Sequence, residues 1–272
     1  MTITVTGATG HLGRLILENL KGQDVVAAVR NTSQDLGVPT RHADYDRPET
    51  LRAAFEGTDT LVFISASEAG KRIGQHRAVV DAAKAANVGL IIYTSITAAD
   101  TSASPLAPEH IATEEYIKAS GLPYTFLRNN WYFENYTAGV AATVEHGVLL
   151  GSAGKGRIAG ATRADYAAGA AAVATGEGHA GKIYELGGDE TFSLDELAAA
   201  ISAQYGKEVV YRDLPVEDYA QALVGFGVPE GFAKILAESD VSIANGALDL
   251  VTGDLRRLIG RPTTTLAEAL RN

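Results

Sequence analysis

The first thirteen residues constrain the fold more than any other stretch of the chain. Met1-Thr-Ile-Thr-Val-Thr6 places Ile3 and Val5 on one face of an extended segment, which runs directly into Gly7-Ala8-Thr9-Gly10-His11-Leu12-Gly13. Leu12, Leu15, Ile16 and Leu20 then recur at helical spacing. The pattern is strand, tight glycine turn, helix. In such a unit the first glycine allows the turn and the second lets backbone approach a phosphate. The third lets the helix pack on the strand. The helix start aims its free N–H groups, and roughly half a unit of positive charge, at the anion. A dinucleotide pyrophosphate is the expected ligand, and a purely structural turn is the competing reading.

Composition narrows the partners. A net charge of −10 and a pI near 5.1 argue against nucleic acid, which needs basic surface to neutralise its phosphates. There is no cysteine, hence no disulfide, thiolate nucleophile or iron–sulfur ligation. No apolar run approaches the roughly 20 residues of a membrane helix, and the N-terminal strand lacks the basic start of a signal peptide. A cytoplasmic protein without a membrane partner is expected. The oligomeric state stays open, with a homodimer admitted but not required.

Asp24–Val29 reads as a second, buried parallel strand. A site that prefers NAD usually carries an acid at the end of this strand, whereas a basic residue accommodates a 2′-phosphate. Here the strand ends in Arg30-Asn31 without an acid, so Arg30 points to NADP(H), against the plainer reading of a solvated arginine. A short third strand is expected within Val38–Ala43. Asp44 and Asp46 are read as turn and capping residues ahead of a helix bearing Leu51, Ala54 and Phe55. Thr60–Ile64 is the fourth strand, followed by the small-residue loop Ser65-Ala66-Ser67, which should face the ligand crevice.

A helix is expected over about 71–86, a fifth strand from Leu90 to Ser95, and a helix over 108–120 closed by Gly121. Tyr124–Leu127 makes a sixth strand. This alternation predicts a Rossmann-type, doubly wound parallel α/β sheet. The remainder reads as an alanine-rich helix to about His146, a glycine-rich stretch over 147–160 and a helix opened by Thr162. A strand at Lys182–Leu186 and a mostly helical tail with one strand at Val209–Tyr211 follow. We assign residues 1–150 to cofactor binding and 151–272 to an interleaved, mostly helical substrate-capping subdomain.

Arg128-Asn129-Asn130-Trp131-Tyr132-Phe133-Glu134-Asn135-Tyr136 holds the only tryptophan and lies where a parallel strand ends. Two readings stand together: an aromatic plug between sheet and cap, or a substrate pocket using Trp131, Tyr132, Asn135 and Tyr136.

None of the eleven tyrosines has a lysine four residues on, so the tyrosine–lysine proton device of many dehydrogenases is absent. Arg128 stands four after Tyr124, but on a strand, where the two cannot share a helical face. The six histidines are scattered. His110 could donate a proton in a pocket, and with Glu114 it shares a helix face, but no third metal ligand is apparent and no metal is expected. A cofactor platform with an aromatic pocket and no obvious acid suits a quinone, because hydride can pass directly to an electron-poor ring while solvent supplies protons.

Several blocks in order resemble one family: Gly7–Gly13, Val29-Arg30-Asn31, Ala43-Asp44-Tyr45, Ile64–Glu68, Gln75-His76, Tyr93-Thr-Ser95, Glu109–Glu114, Leu127–Tyr132 with Glu134–Tyr136, Ala161–Ala167 and Pro262–Thr265. The chain resembles the NmrA-like atypical short-chain dehydrogenases over essentially its whole length, nearest the bacterial NADPH:quinone oxidoreductase 2 type. Triphenylmethane dye reductases are near relatives. The resemblance implies an NADPH-dependent quinone reductase. It implies cofactor contacts at Gly7, Ala8, Thr9, Gly10, His11 and Leu12, at Arg30, and at Ser65, Ala66 and Ser67. Further contacts are implied at Asn129, Asn130, Trp131, Tyr132, Phe133 and Glu134, and at Arg157. Members with a lysine near position 110 use it as a base, a role His110 does not inherit. Asn130 stands where a glycine is usual, which would narrow the pocket or change the backbone angles. A dinucleotide-sensing regulator without turnover and a reductase of cationic dyes are the other functions this pattern accommodates.

Overall fold

Apolar, β-branched runs in the first half of the chain become parallel strands because most are followed by a helix that crosses back over the sheet; the second reaches the third through a loop alone. The computed structural model describes residues 1–271. The strands are β1 (Thr2–Thr6), β2 (Asp24–Val29), β3 (Thr40–His42), β4 (Thr60–Phe63), β5 (Leu90–Ile96), β6 (Tyr124–Asn129), β7 (Val148–Gly151), β8 (Lys182–Leu186) and β9 (Val210–Asp213). Seven form one sheet in the order β3-β2-β1-β4-β5-β6-β8, with every pairing parallel. The chain direction across the sheet reverses between β1 and β4, where a doubly wound sheet opens its ligand crevice.

The helices are α1 (His11–Asn19), α2 (Leu51–Ala54), α3 (Arg72–Ala85), α4 (Ala107–Ser120), α5 (Glu134–Thr137), α6 (Val140–His146), α7 (Arg163–Thr175), α8 (Leu194–Tyr205), α9 (Val216–Gly225), α10 (Glu230–Ala244), α11 (Asp254–Ile259) and α12 (Leu266–Ala269). Strand alternation sorts the core. Ile3, Val5, Val62, Ile92 and Leu127 pack under α1, α7 and α11. Leu61, Phe63, Ile91, Tyr93 and Phe126 pack under α2, α3 and α4 on the other face. Gly121 closes α4 in the left-handed conformation, as expected of a C-cap glycine.

A third core, built on Phe133, Leu149, Ile158, Phe192, Leu197 and Ile243, forms the annex over the carboxyl edge of the sheet. The annex contains a strand absent from the expected series. Val148–Gly151 lies inside the stretch read as glycine-rich loop, yet it pairs in parallel with β9. A three-residue apolar run between glycines carries too little periodicity to announce a strand whose partner lies some sixty residues away. The two halves of the chain interleave. β8 and α7 complete the main sheet layer, while Trp131 and Phe133 belong with the annex.

Candidate active site

The glycine turn is built as its spacing requires. Gly7 has a φ of +59°, a left-handed value that excludes most side chains. The Gly10 N–H donates to the Gly7 carbonyl at 3.0 Å, closing the turn. Gly10 is the extended N-cap of α1, and it has neither a side-chain cap nor an acid in the first turn. The first N–H groups therefore stay available for an anion. Arg14 stiffens the turn from behind, its Nε donating to the Thr9 carbonyl at 3.0 Å.

From this turn a cleft of about 710 Å³ runs along the carboxyl edge of the sheet. At one end the exposed Arg30 lines it after β2, beside Asp44, Tyr45 and Asp46. Asp44 does form the expected turn, accepting the Asp46 N–H at 3.1 Å, and both acids also border the cleft. The floor is the Ser65–Ser67 loop, and buried side chains fix its backbone. The Ser65 N–H donates to Thr94 Oγ1 at 2.9 Å and the Ala66 N–H to His76 Nε2 at 2.9 Å, while Arg72 Nε donates to the Ala66 carbonyl at 2.8 Å. Arg72 is itself held by Glu109 at 3.2 Å.

At the other end Asn129, Asn130, Trp131, Tyr132 and Asn135 line the cleft. Asn130 Nδ2 donates to the Leu248 carbonyl at 3.1 Å, and its Oδ1 accepts the Trp131 N–H at 2.7 Å. Asn130 has no positive φ, so this side chain ties the block to the annex and leaves the backbone unstrained. Arg163 lies over the Tyr132 ring at 4.3 Å, a cation–π contact held in place by Glu134. The opposite wall comes from α10, whose Phe232, Ile235, Leu236 and Ser239 face the cleft. None of these four was singled out in the sequence; spacing of i, i+3, i+4 and i+7 on one helix face is the only signal they carry.

Five residues implied by resemblance or pocket position lie elsewhere. Ala8 is fully buried in the main core, and Phe133 packs 5.6 Å from Phe192 in the annex core. Glu134 Oε1 accepts the Arg163 N–H at 2.8 Å and so caps α7. Tyr136 packs edge-on to Phe192, and its buried hydroxyl has no partner. Arg157 donates to Thr191 and pairs with Glu196 at 3.2 Å, outside the cleft. Gly7, Thr9, Gly10, His11, Leu12, Arg30, Ser65, Ala66, Ser67 and His110 all line it.

Arg128 is not a pocket residue. It is buried and binds Glu114 through Nε (2.9 Å) and Nη2 (2.8 Å), while Nη1 reaches Glu185 at 2.9 Å and Asp100 at 3.1 Å. Ser95 Oγ donates to Glu114 at 2.7 Å. Glu114 is thereby committed and cannot serve a metal with His110. Among the described residues no group of three or more His, Cys, Asp or Glu is placed to hold a metal ion. Nor is any helix there long and apolar enough to cross a membrane.

Two buried acceptors on the cleft wall, Gln75 Oε1 and Asn129 Oδ1, have no partner. Such atoms are costly unless a ligand donates to them. The exocyclic amine and the carboxamide of a nicotinamide dinucleotide carry suitable donors. With the glycine cradle, the free helix N–H groups and Arg30, these residues fit that class of cofactor.

Comparison with known proteins agrees with this geometry. Residues 1–251 match the model of the NmrA-like family. The chain is 49% identical to Quinone oxidoreductase 2 of Escherichia coli, over 98% of this chain and 97% of that protein. The solved NADPH-dependent quinone oxidoreductase of Escherichia coli, complexed with NADPH, superposes with a TM-score of 0.96 at 49% identity, covering 99% and 98% of the two chains. Triphenylmethane reductase of Citrobacter sp., complexed with NADP(H), gives a TM-score of 0.95 at 40% identity, with 99% of each chain covered. With its glycine turn, parallel sheet and near full-length match, this chain belongs to the NmrA-like family.

Proposed function

We propose that the protein is an NADPH-dependent reductase of quinones. The observation that carries this reading is one continuous cleft. Its glycine-lined, Arg30-bearing end runs into an aromatic and aliphatic end, with no tyrosine–lysine pair between them. Near half-identity with the quinone oxidoreductase of Escherichia coli over almost the entire chain supports the same assignment. When bound, NADPH supplies the hydride. The α1 N-terminus with Gly7, Thr9, Gly10, His11 and Leu12 would hold the pyrophosphate, and Arg30 would engage a 2′-phosphate. The Ser65–Ser67 loop supports the cofactor from below, and Asn129 orients its amide end. Trp131, Tyr132 and the α10 wall hold the acceptor ring and exclude water. Overall, one NADPH, one proton from solvent and one quinone yield NADP⁺ and hydroquinone.

The labour divides by layer, and residues from both sides of position 150 meet in the cleft. The sheet and its loops carry the cofactor; α10 and the Trp131 block cover the acceptor. We place the enzyme in the cytoplasm, where its nucleotide cosubstrate is made. The reading holds equally for a monomer and a homodimer, because one chain supplies every cleft residue named.

The test is direct: protein, NADPH and a small benzoquinone are mixed and nicotinamide absorbance is followed. Oxidation at the background rate across several quinones would reject the proposal. The 40% identity with triphenylmethane reductase favours a second reading, a reductase of cationic dyes, and kcat/KM on dyes against quinones separates the two. A non-catalytic sensor would bind the dinucleotide tightly in calorimetry yet turn over no acceptor.

A further inference from the structure

His110 and three other buried side chains form a hydrogen-bonded cluster beside the cleft whose polarity can be worked out donor by donor. The Ala66 N–H donates to His76 Nε2 at 2.9 Å, so that nitrogen carries no proton. Thr113 spends its hydroxyl proton on the Glu109 carbonyl at 2.8 Å, and its oxygen must accept from His76 Nδ1, 2.9 Å away. His76 is therefore the neutral Nδ1–H tautomer. The Tyr93 hydroxyl lies 3.4 Å from His76 Nδ1 and 2.8 Å from His110 Nδ1. Because His76 Nδ1 already bears a proton, the Tyr93 O–H donates to His110 Nδ1, the shorter of its two ring contacts at 2.8 Å. The His110 proton must then sit on Nε2. That nitrogen makes no hydrogen bond within the described chain and is not sealed off, and the residue lines the cleft.

We propose that His110 presents a neutral Nε2–H to the acceptor oxygen that gains negative charge, with Tyr93, His76 and Thr113 as positioning residues that hold this tautomer. The inference rests on the quinone-reductase reading of the site. As hydride and its two electrons enter the quinone, one carbonyl oxygen becomes a phenolate. His110 donates a hydrogen bond to that oxygen and keeps its proton; the proton that completes the hydroquinone comes from solvent. A neutral imidazole used in this way is a fixed dipole aimed where charge develops.

The surroundings favour the neutral ring. His110 is held down to about 3, first by burial and then by the Arg72 guanidinium. The facing groups are Arg72 and His76 from α3, Tyr93 from β5, and Glu109 and Glu114 from α4. Glu109 is paired with Arg72 and Glu114 with Arg128, so neither acid is free to stabilise an imidazolium.

The experiment combines ¹⁵N NMR of histidine-labelled, ligand-free protein with kinetics of three variants. The NMR should show His110 as Nε2–H and His76 as Nδ1–H, both unchanged between about pH 5 and 8, where an ordinary histidine titrates. An imidazolium or an Nδ1–H tautomer at His110 overturns the proposal. His110→Leu should lower kcat for a benzoquinone by roughly ten- to a hundredfold with KM for NADPH unchanged, and His110→Gln, which keeps an N–H donor, should recover part of it. Tyr93→Phe should remove the tautomer preference in the spectrum and lower kcat without changing NADPH affinity. If the NMR is as expected but His110→Leu reduces quinones at the parent rate, the donor role is wrong and the quinone-reductase reading stands. If the parent protein reduces no quinone, that reading fails, and the tautomer measurement is judged separately.

Discussion

Gly13 sits so close to the carbonyl oxygen of Gly7 that no β-carbon fits between them; one built there would also lie 2.6 Å from the Ala8 Cα. The contact sets the height of α1 above β1, and with it the direction of the free N–H groups. Both opposing atoms are backbone, so relief requires moving the helix. Gly13→Ala should destabilise the fold by about 1–3 kcal/mol, as overpacking does. It should also weaken NADPH binding at least tenfold. At Gly10 the nearest atom to an added β-carbon is the Gly7 carbonyl oxygen at 3.3 Å, which a shift of a few tenths of an ångström relieves, so Gly10→Ala should lose much less stability than Gly13→Ala. Thermal melts and calorimetry on the two variants check this; equal losses would mean the third glycine has no special packing role.

Arg30 is exposed at the end of β2, and the strand itself ends without an acid. A charge-assisted hydrogen bond contributes about 1.5–3 kcal/mol. Arg30→Ala should therefore raise the Kd for NADPH by roughly ten- to a hundredfold. The Kd for NADH should stay nearly unchanged. Titrating both nucleotides against parent and variant decides the matter, and parallel losses would assign Arg30 to something other than the 2′-phosphate.

That the glycine turn, Arg30 and the Ser65–Ser67 loop line one cleft was legible because their determinants are local. A glycine triplet, a strand end and the next residue lie within a few positions of one another, and their meaning survives without tertiary information. The acceptor end was not. Phe133, Glu134 and Tyr136 share one short aromatic block with Trp131 and Tyr132. Only the tertiary turn at α5 decides which of these side chains face the cleft and which face Phe192 or Arg163. Arg128, in the same block, has a polar sequence context yet is buried by Glu114 and Glu185, which lie 14 residues before it and 57 after it. The central strands of the main sheet, β2, β4, β5 and β6, could be read from largely apolar runs. β7 could not, because its pairing with β9 is the property of two segments far apart.

The two buried histidines should make the protein acid-sensitive. His76 is pushed down to about 2, by burial first, then Arg72 and His110, and His110 to about 3. In the unfolded chain each titrates near 6.5. Both folded values lie below the unfolded one, so the unfolded state binds more protons as pH falls and stability declines below about pH 6.5. Above that pH the contribution is fully present. Asp240 opposes the trend lower down. Burial raises its carboxyl to about 6, which costs stability as pH rises through that value. Melting temperature should thus fall as pH drops below 6.5, with a gentler slope below about 6, and His110→Gln should remove roughly half of the histidine slope. Melts across this range are the measurement, and an unchanged slope in the variant would show that His110 already carries a proton in the native state. Asp240→Asn should add stability of about 2–3 kcal/mol near neutral pH, where the parent must bury a charge, roughly half of that at pH 5, and little below about pH 4.

Phe232 lines the cleft and is still 51% exposed. With Ile235 and Leu236 it makes an apolar face on α10 opposite the Trp131 block, at the end of the cleft away from Arg30. An acceptor ring lodged there would cover the phenyl group, and burying such a side chain contributes about 1.5–3 kcal/mol. Because Phe232 is only half exposed to begin with, about half of that range is available, up to about one factor of ten in affinity. Phe232→Ala should raise KM for a methylated or alkylated benzoquinone by roughly tenfold. It should raise KM less for unsubstituted benzoquinone, which has less apolar surface to lose. KM for NADPH should hold, since Arg30, the glycine turn and Asn129 lie across the cleft on other elements. Steady-state kinetics over a series of quinones of increasing alkyl substitution gives the answer. A slope of log KM against apolar area that is the same in parent and variant would show that α10 does not contact the acceptor.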